Sequence, residues 1–234
     1  MNDRLSNSFI TSSEPFTKTP ILSGENLGKK IQNQWLWRNL NFELLSGESV
    51  AVVGASGSGK SQLLRAIAHL DSIQSGKFLW QGKPIDSQYI PRYRSQVIYL
   101  HQRPALWEGT VEDNLKQVYR LAIHRHQVYN QQLIIDYLQI LHKPIDFLHR
   151  PVSAISGGEA QIVAFLRALQ LSPLVLLLDE PTASLDAETA SCLEALVTAW
   201  QKQDPQRAYL WTSHNPTQLE RITNRTIQIT GNRE

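Results

Sequence analysis

Residues 54–61 read GASGSGKS, and this stretch limits what the chain can fold into more than any other. It follows the apolar run SVAVV at 49–53 and precedes a segment in which Leu63, Leu64, Ile67 and Leu70 recur at helical spacing. A strand, a glycine-rich loop and a helix, in that order, is the context in which G-x-x-x-x-G-K-[ST] binds phosphate. Gly54, Gly57 and Gly59 let the backbone wrap until successive N–H groups converge on one anion, and Ala55, Ser56 and Ser58 keep the stretch poor in side chains. The helix adds the equivalent of about half a positive charge at its N-terminus. Lys60 is expected to reach the terminal phosphates and Ser61 to offer its hydroxyl to Mg²⁺, with Gln62 next along the helix. A plain Gly/Ser turn has no need of Lys-Ser at its close.

A phosphate loop needs an acid to hold its metal, and LVLLLDE at 174–180 supplies one where an apolar run ends. Asp179 is expected to hold Mg²⁺, and Glu180 to face the place of an attacking water. Alone, such a pair reads as a strand end that caps the next element.

Four apolar runs, at 49–54, 96–100, 174–179 and 207–214, lack polar alternation, as strands buried on both faces of a parallel sheet do. Helical patterns lie between them, including Ile162, Phe165, Leu166 and Leu169. Strand and helix in alternation predict an α/β fold with a mainly parallel core sheet flanked by helices. Segments broken by Gly47, Gly76 and Gly82 predict a small antiparallel piece beside it. A long stretch of helical period with no strand-like run predicts an inserted helical subdomain over about 103–165. The expected layout is a loose polar tail over 1–18 and one domain over 19–234.

At 234 residues and 41% hydrophobic, the chain can bury one sizeable core. A net charge of +2 demands no polyanionic partner, and no nucleic acid is expected. The single cysteine, Cys192, cannot pair internally, which fits a reducing compartment. No apolar run approaches the roughly 20 residues of a spanning helix, and the N-terminus lacks the pattern of a secretory signal.

The run ISGGEAQ at 155–161, followed by a helix and then by LVLLLDEPTASLD at 174–186, resembles the signature and the acid strand of ATP-binding cassette (ABC) proteins. The resemblance extends from about residue 20 onward. It implies a P-loop NTPase of ABC type that binds ATP and Mg²⁺. By the same resemblance Gln102 bridges Mg²⁺ and the helical subdomain, and Ser156, Gly157 and Gly158 contact the γ-phosphate held by a second copy. Ser184, Leu185 and Asp186 would communicate across that dimer, and His214 would donate to the γ-phosphate. The chain departs from the family pattern at Gln62, Glu159, Ile162 and the SHN of 213–215. Lys29 stands where the family places the aromatic that stacks on adenine, which leaves Trp35 or Trp37 to stack there or to pack a strand.

The resemblance implies a homodimer that forms on ATP binding and drives a separate integral membrane subunit, on the cytoplasmic face of the cell membrane. Leu106 and Trp107 are expected to line the groove that receives that subunit. The layout from 108 to 159 resembles short stand-alone cassettes linked to iron export and metal resistance. His124 and His126 read as solvated residues on a polar helix rather than metal ligands. The alternative is a soluble ABC ATPase acting mechanically on nucleic acid, the ribosome or a protein assembly.

Overall fold

The computed structural model describes residues 20–231, so the expected tail lies outside the described residues. Strands β1 (Leu22–Ile31) and β2 (Gln34–Leu44) form a hairpin whose tip residues, Gln32 and Asn33, take φ of 48° and 67°. Positive φ at both tip positions matches the twist of the paired strands. After β3 (Ser49–Val53) and α1 (Lys60–Ile67) come β4 (Ser75–Trp80) and β5 (Lys83–Pro84), which complete an antiparallel sheet of order β2-β1-β4-β5.

The chain continues through α2 (Ile90–Gln96), β6 (Val97–Leu100), α3 (Val111–Gln117), α4 (Gln131–Ile140) and α5 (Gly157–Leu169). It closes with β7 (Val175–Asp179), α6 (Ala187–Lys202), β8 (Ala208–Thr212), α7 (Pro216–Ile222) and β9 (Arg225–Gln228). Strands β6-β7-β8-β3-β9 pair in parallel, in that order. Strands β7 and β8 each have a paired strand on both sides, and every one of their residues is buried.

Alternate residues of each core strand serve opposite cores. Val50, Val52, Val175, Leu177 and Leu210 pack with α1 and the antiparallel sheet. Ala51, Leu176, Leu178, Tyr209 and Trp211 pack with α3, α4, α5 and α6. The fold is thus α/β of the P-loop NTPase kind, with a small antiparallel sheet on one face and helices on the other.

Four features differ from the sequence reading. Leu70 is 45% exposed, because α1 ends at Ile67 and His69 turns the chain at φ 54°. Strand β1 had no alternating signal, since Gly24, Asn26 and Gly28 interrupt it where its pairing shifts register. The long helical run is broken: after α3 come 3₁₀ turns at Val118–Arg120 and Ala122–His124, and Asn130 starts α4 afresh by accepting from Leu133 N at 3.1 Å. His124 is therefore buried in a turn rather than solvated on a helix, whereas His126 is exposed.

Candidate nucleotide site

The loop GASGSGKS joins β3 to α1 as the spacing predicts. Gly59 caps the helix at φ 93°, and a Cβ there would fall 2.5 Å from Leu36 Cδ2, so only glycine fits. Lys60 is buried, and its Nζ donates to the carbonyls of Gly54 (2.9 Å) and Ala55 (3.2 Å). The ammonium is thereby folded into the concavity of its own loop. The buried Oγ of Ser58 has no partner among the described residues.

Asp179 ends β7 beside the loop and is contacted from three sides. Ser61 Oγ donates to Oδ1 at 3.0 Å, Thr212 Oγ1 donates to the same oxygen at 3.0 Å, and Tyr99 OH donates to Oδ2 at 2.9 Å. Burial, aided by the Asp179 carboxylate, pushes the Tyr99 hydroxyl well above its ordinary pKa and keeps it a neutral donor. Thr212 Oγ1 also accepts from Glu180 N at 2.9 Å, which fixes Glu180 in a left-handed conformation at φ 47°. The Glu180 carboxylate is gripped at both oxygens: Gln102 Nε2 donates to Oε2 at 2.9 Å, and His214 Nε2 lies 2.8 Å from Oε1. Only 18% of that side chain is exposed, against 65% for His214. Tyr99 and Thr212 escaped the sequence reading because each is one polar residue within an apolar strand run.

Ser61 and Asp179 are hard oxygen donors already in contact, a set that suits Mg²⁺ supplemented by phosphate oxygens. Among the described residues no cluster of three or more His, Cys, Asp or Glu is placed to hold a metal ion.

The signature residues stand apart from this group in their bonding. Ser156 Oγ accepts from Glu159 N at 3.1 Å while Glu159 Oε2 accepts from Ser156 N at 2.9 Å, a capping box at the start of α5. Burial alone would raise the Glu159 pKa, but the Ser156 amide, Lys143 and Arg150 outweigh it and hold the carboxyl below its ordinary value. A Cβ on Gly158 would fall 2.9 Å from Ser184 O, so α5 begins against the Ser184–Leu185 segment. A Cβ on Gly157 would meet nothing within 4 Å, so that side of the helix start is open. Asp186 caps α6 by accepting from Thr189 N at 2.9 Å.

Of the two tryptophans considered for the base, Trp37 is 1% exposed and belongs to the core, which removes it. Trp35 is half-buried, with Lys30 Nζ 4.6 Å and the Arg38 guanidinium 5.1 Å from its ring. Lys29 Nζ donates to Ser72 O at 2.6 Å. Leu106 and Trp107 border a groove of about 400 Å³ together with Tyr99, Val118 and Arg167. Trp107 is 51% exposed, under the Arg167 guanidinium at 4.9 Å.

Comparison with known proteins agrees with this geometry. The ABC transporter family pattern matches residues 37–183. The "Probable iron export ATP-binding protein FetA" of Escherichia coli is 33% identical over 205 residues, covering 86% of this chain and 88% of that one. The "Molybdate/tungstate import ATP-binding protein WtpC" of Pyrococcus horikoshii is 35% identical over 186 residues, covering 78% of this chain and 52% of that one. An ATP-binding cassette solved as a dimer with ADP and Pi superposes with a TM-score of 0.76 at 23% identity, covering 89% and 94% of the two chains, a likeness of fold. With its matched segment reaching from β2 past the acid pair, the chain belongs to the ABC transporter family, as an ATP-binding subunit of a kind that hydrolyses ATP.

Proposed function

We propose that two copies of this chain close around ATP and Mg²⁺, hydrolyse it, and drive a separate membrane subunit. The observation that carries the reading is a divided site. Lys60, Ser61, Asp179, Glu180, Gln102 and His214 converge at one end of the parallel sheet, whereas Ser156, Gly157 and Gly158 make their bonds within their own helix cap and leave the Gly157 side open. Small residues at a helix start are suited to approach a phosphate presented by another copy.

Lys60 would exchange the Gly54 and Ala55 carbonyls for phosphate oxygens, and a bound anion would satisfy Ser58 Oγ. Mg²⁺, held by Ser61 and by Asp179 directly or through water, would neutralise charge developing on the phosphates. Glu180 takes the proton of the attacking water, and Gln102 and His214 set the direction of its carboxylate. The groove beside Trp107 receives the membrane subunit, and iron export is the transport reaction that we favour, through that subunit. Support for iron comes from the likeness to the iron-export protein over most of both chains.

The test uses this chain co-expressed with its membrane partner in proteoliposomes loaded with Fe²⁺. ATP-dependent efflux that disappears in Lys60→Ala is expected. Absence of any membrane protein on purification, together with stable association with ribosomes or DNA, overturns the transporter reading.

A further inference from the structure

Behind the catalytic loops lies a buried polar cluster that none of the roles above employs. Gln218, 5% exposed on α7, is its centre. Its Oε1 accepts from Ser213 Oγ at 2.6 Å, and its Nε2 donates to Thr182 Oγ1 at 2.9 Å and to Glu194 Oε1 at 2.7 Å. Glu194, 6% exposed on α6, is held in turn by a two-pronged pair with Arg221, the Nε bond to Oε2 being 3.0 Å and the Nη2 bond to Oε1 2.9 Å. Asn215 Oδ1 accepts from Gln218 N at 3.2 Å, so the amide is anchored through its main chain as well.

The placement of the two outer partners gives the cluster its meaning. Thr182 stands two residues after Glu180, on the segment that leads to Ser184 and Leu185, against which the signature glycine Gly158 packs. Ser213 immediately precedes His214. The Gln218 amide thus links the two loops whose residues Glu180 and His214 meet in a 2.8 Å contact. The amide oxygen takes the Ser213 hydroxyl closely and the Thr182 hydroxyl at 3.4 Å, while the nitrogen is held by Thr182 and by the paired Glu194 carboxylate, so the buried amide cannot turn over without breaking several bonds.

We infer that Gln218 is a positioning residue that ties the Thr182 segment to the Ser213–His214 loop, so that Glu180 and His214 are aligned together with the loop that packs on the signature helix. This rests on the reading of Glu180 as the proton acceptor. It adds that the two loops are coupled in catalysis through one amide, and that a disturbance at Ser184–Leu185 is transmitted to His214 by that route.

The test is a set of full-length variants combining Thr182→Val, Ser213→Ala and Gln218→Leu, with kcat for ATP hydrolysis, affinity for a fluorescent ATP analogue and thermal midpoint measured for each. Thr182→Val and Ser213→Ala are expected to lower kcat with little effect on nucleotide affinity. Their combined effect should fall short of the product of the single effects by about 3-fold or more, the size of interaction found between residues sharing a network. In the Gln218→Leu background that shortfall should vanish. A purely structural role predicts independent effects that follow the thermal midpoint, so simple multiplication in the wild-type background, or coupling that persists without Gln218, overturns the inference. If Gln218→Leu fails to fold, multiplication or coupling between the two single variants still decides the matter. Glu180→Gln separates the two readings: near-normal turnover in that variant refutes the proton acceptor, whereas a dead Glu180→Gln with uncoupled loops refutes Gln218 alone.

Discussion

Lys60 and Glu180 illustrate how much chemistry one side chain carries when the backbone around it is fixed. Lys60→Ala removes the one ammonium inside the loop, and turnover is expected to fall by about 10²–10³-fold, in line with loss of a preorganised donor, with weaker binding measured by fluorescence titration. Glu180→Gln keeps the size and the Thr212 contact to its main chain but cannot accept a proton. Turnover should drop by about 10²–10⁴-fold, while gel filtration with Mg-ATP should show an accumulated dimer. The placement of these residues was legible because their types and spacing follow from the requirements of phosphate and metal chemistry. Tyr99 and Thr212 were not, since a lone hydroxyl in a buried strand becomes informative only when its acceptor, Asp179, is known to lie across the sheet.

At the scale of the element, α5 serves two purposes with the same residues. Its capping box should stabilise the chain, and Ser156→Ala is expected to cost about 1 kcal/mol of folding free energy, read from urea denaturation. Gly157→Trp is the complementary experiment. With nothing within 4 Å of the added Cβ, the single chain should fold and bind nucleotide normally, yet gel filtration should show no ATP-dependent dimer and hydrolysis should fail. Parallel strands and the α1 and α5 helices could be read from apolar runs and period. The helical insert was legible in kind but not in its breaks, because one helical period runs through residues that Asn130 divides with a local cap. Strand β1 stayed hidden, since its glycines and asparagine give local sequence no alternation and only pairing on both sides makes it a strand.

For the molecule as a whole, the two cores imply a defined response to acid. His69 is half-buried between Phe78 and Tyr93, and burial, followed by the Arg94 charge, lowers its pKa. Burial lowers that of His124 as well. Both are thus favoured neutral in the folded chain, so the unfolded chain binds more protons below the ordinary value of 6.5. Stability from these groups is complete above that value and is lost as pH falls through the lower folded values. The thermal midpoint should decline from about pH 7 to about pH 5, and the pair His69→Gln and His124→Gln should flatten the decline.

Strand β6 forms an outer edge of the parallel sheet, and its residues Ile98, Tyr99 and Leu100 face the groove beside Trp107. The same strand delivers Tyr99 to Asp179 and, just past its end, Gln102 to Glu180. An edge strand has a partner on one side only and yields more readily than its neighbours. On the proposed function, a subunit seated in the groove would press on this strand like a short lever, with the groove at one arm and Gln102, bonded to the Glu180 carboxylate, at the other.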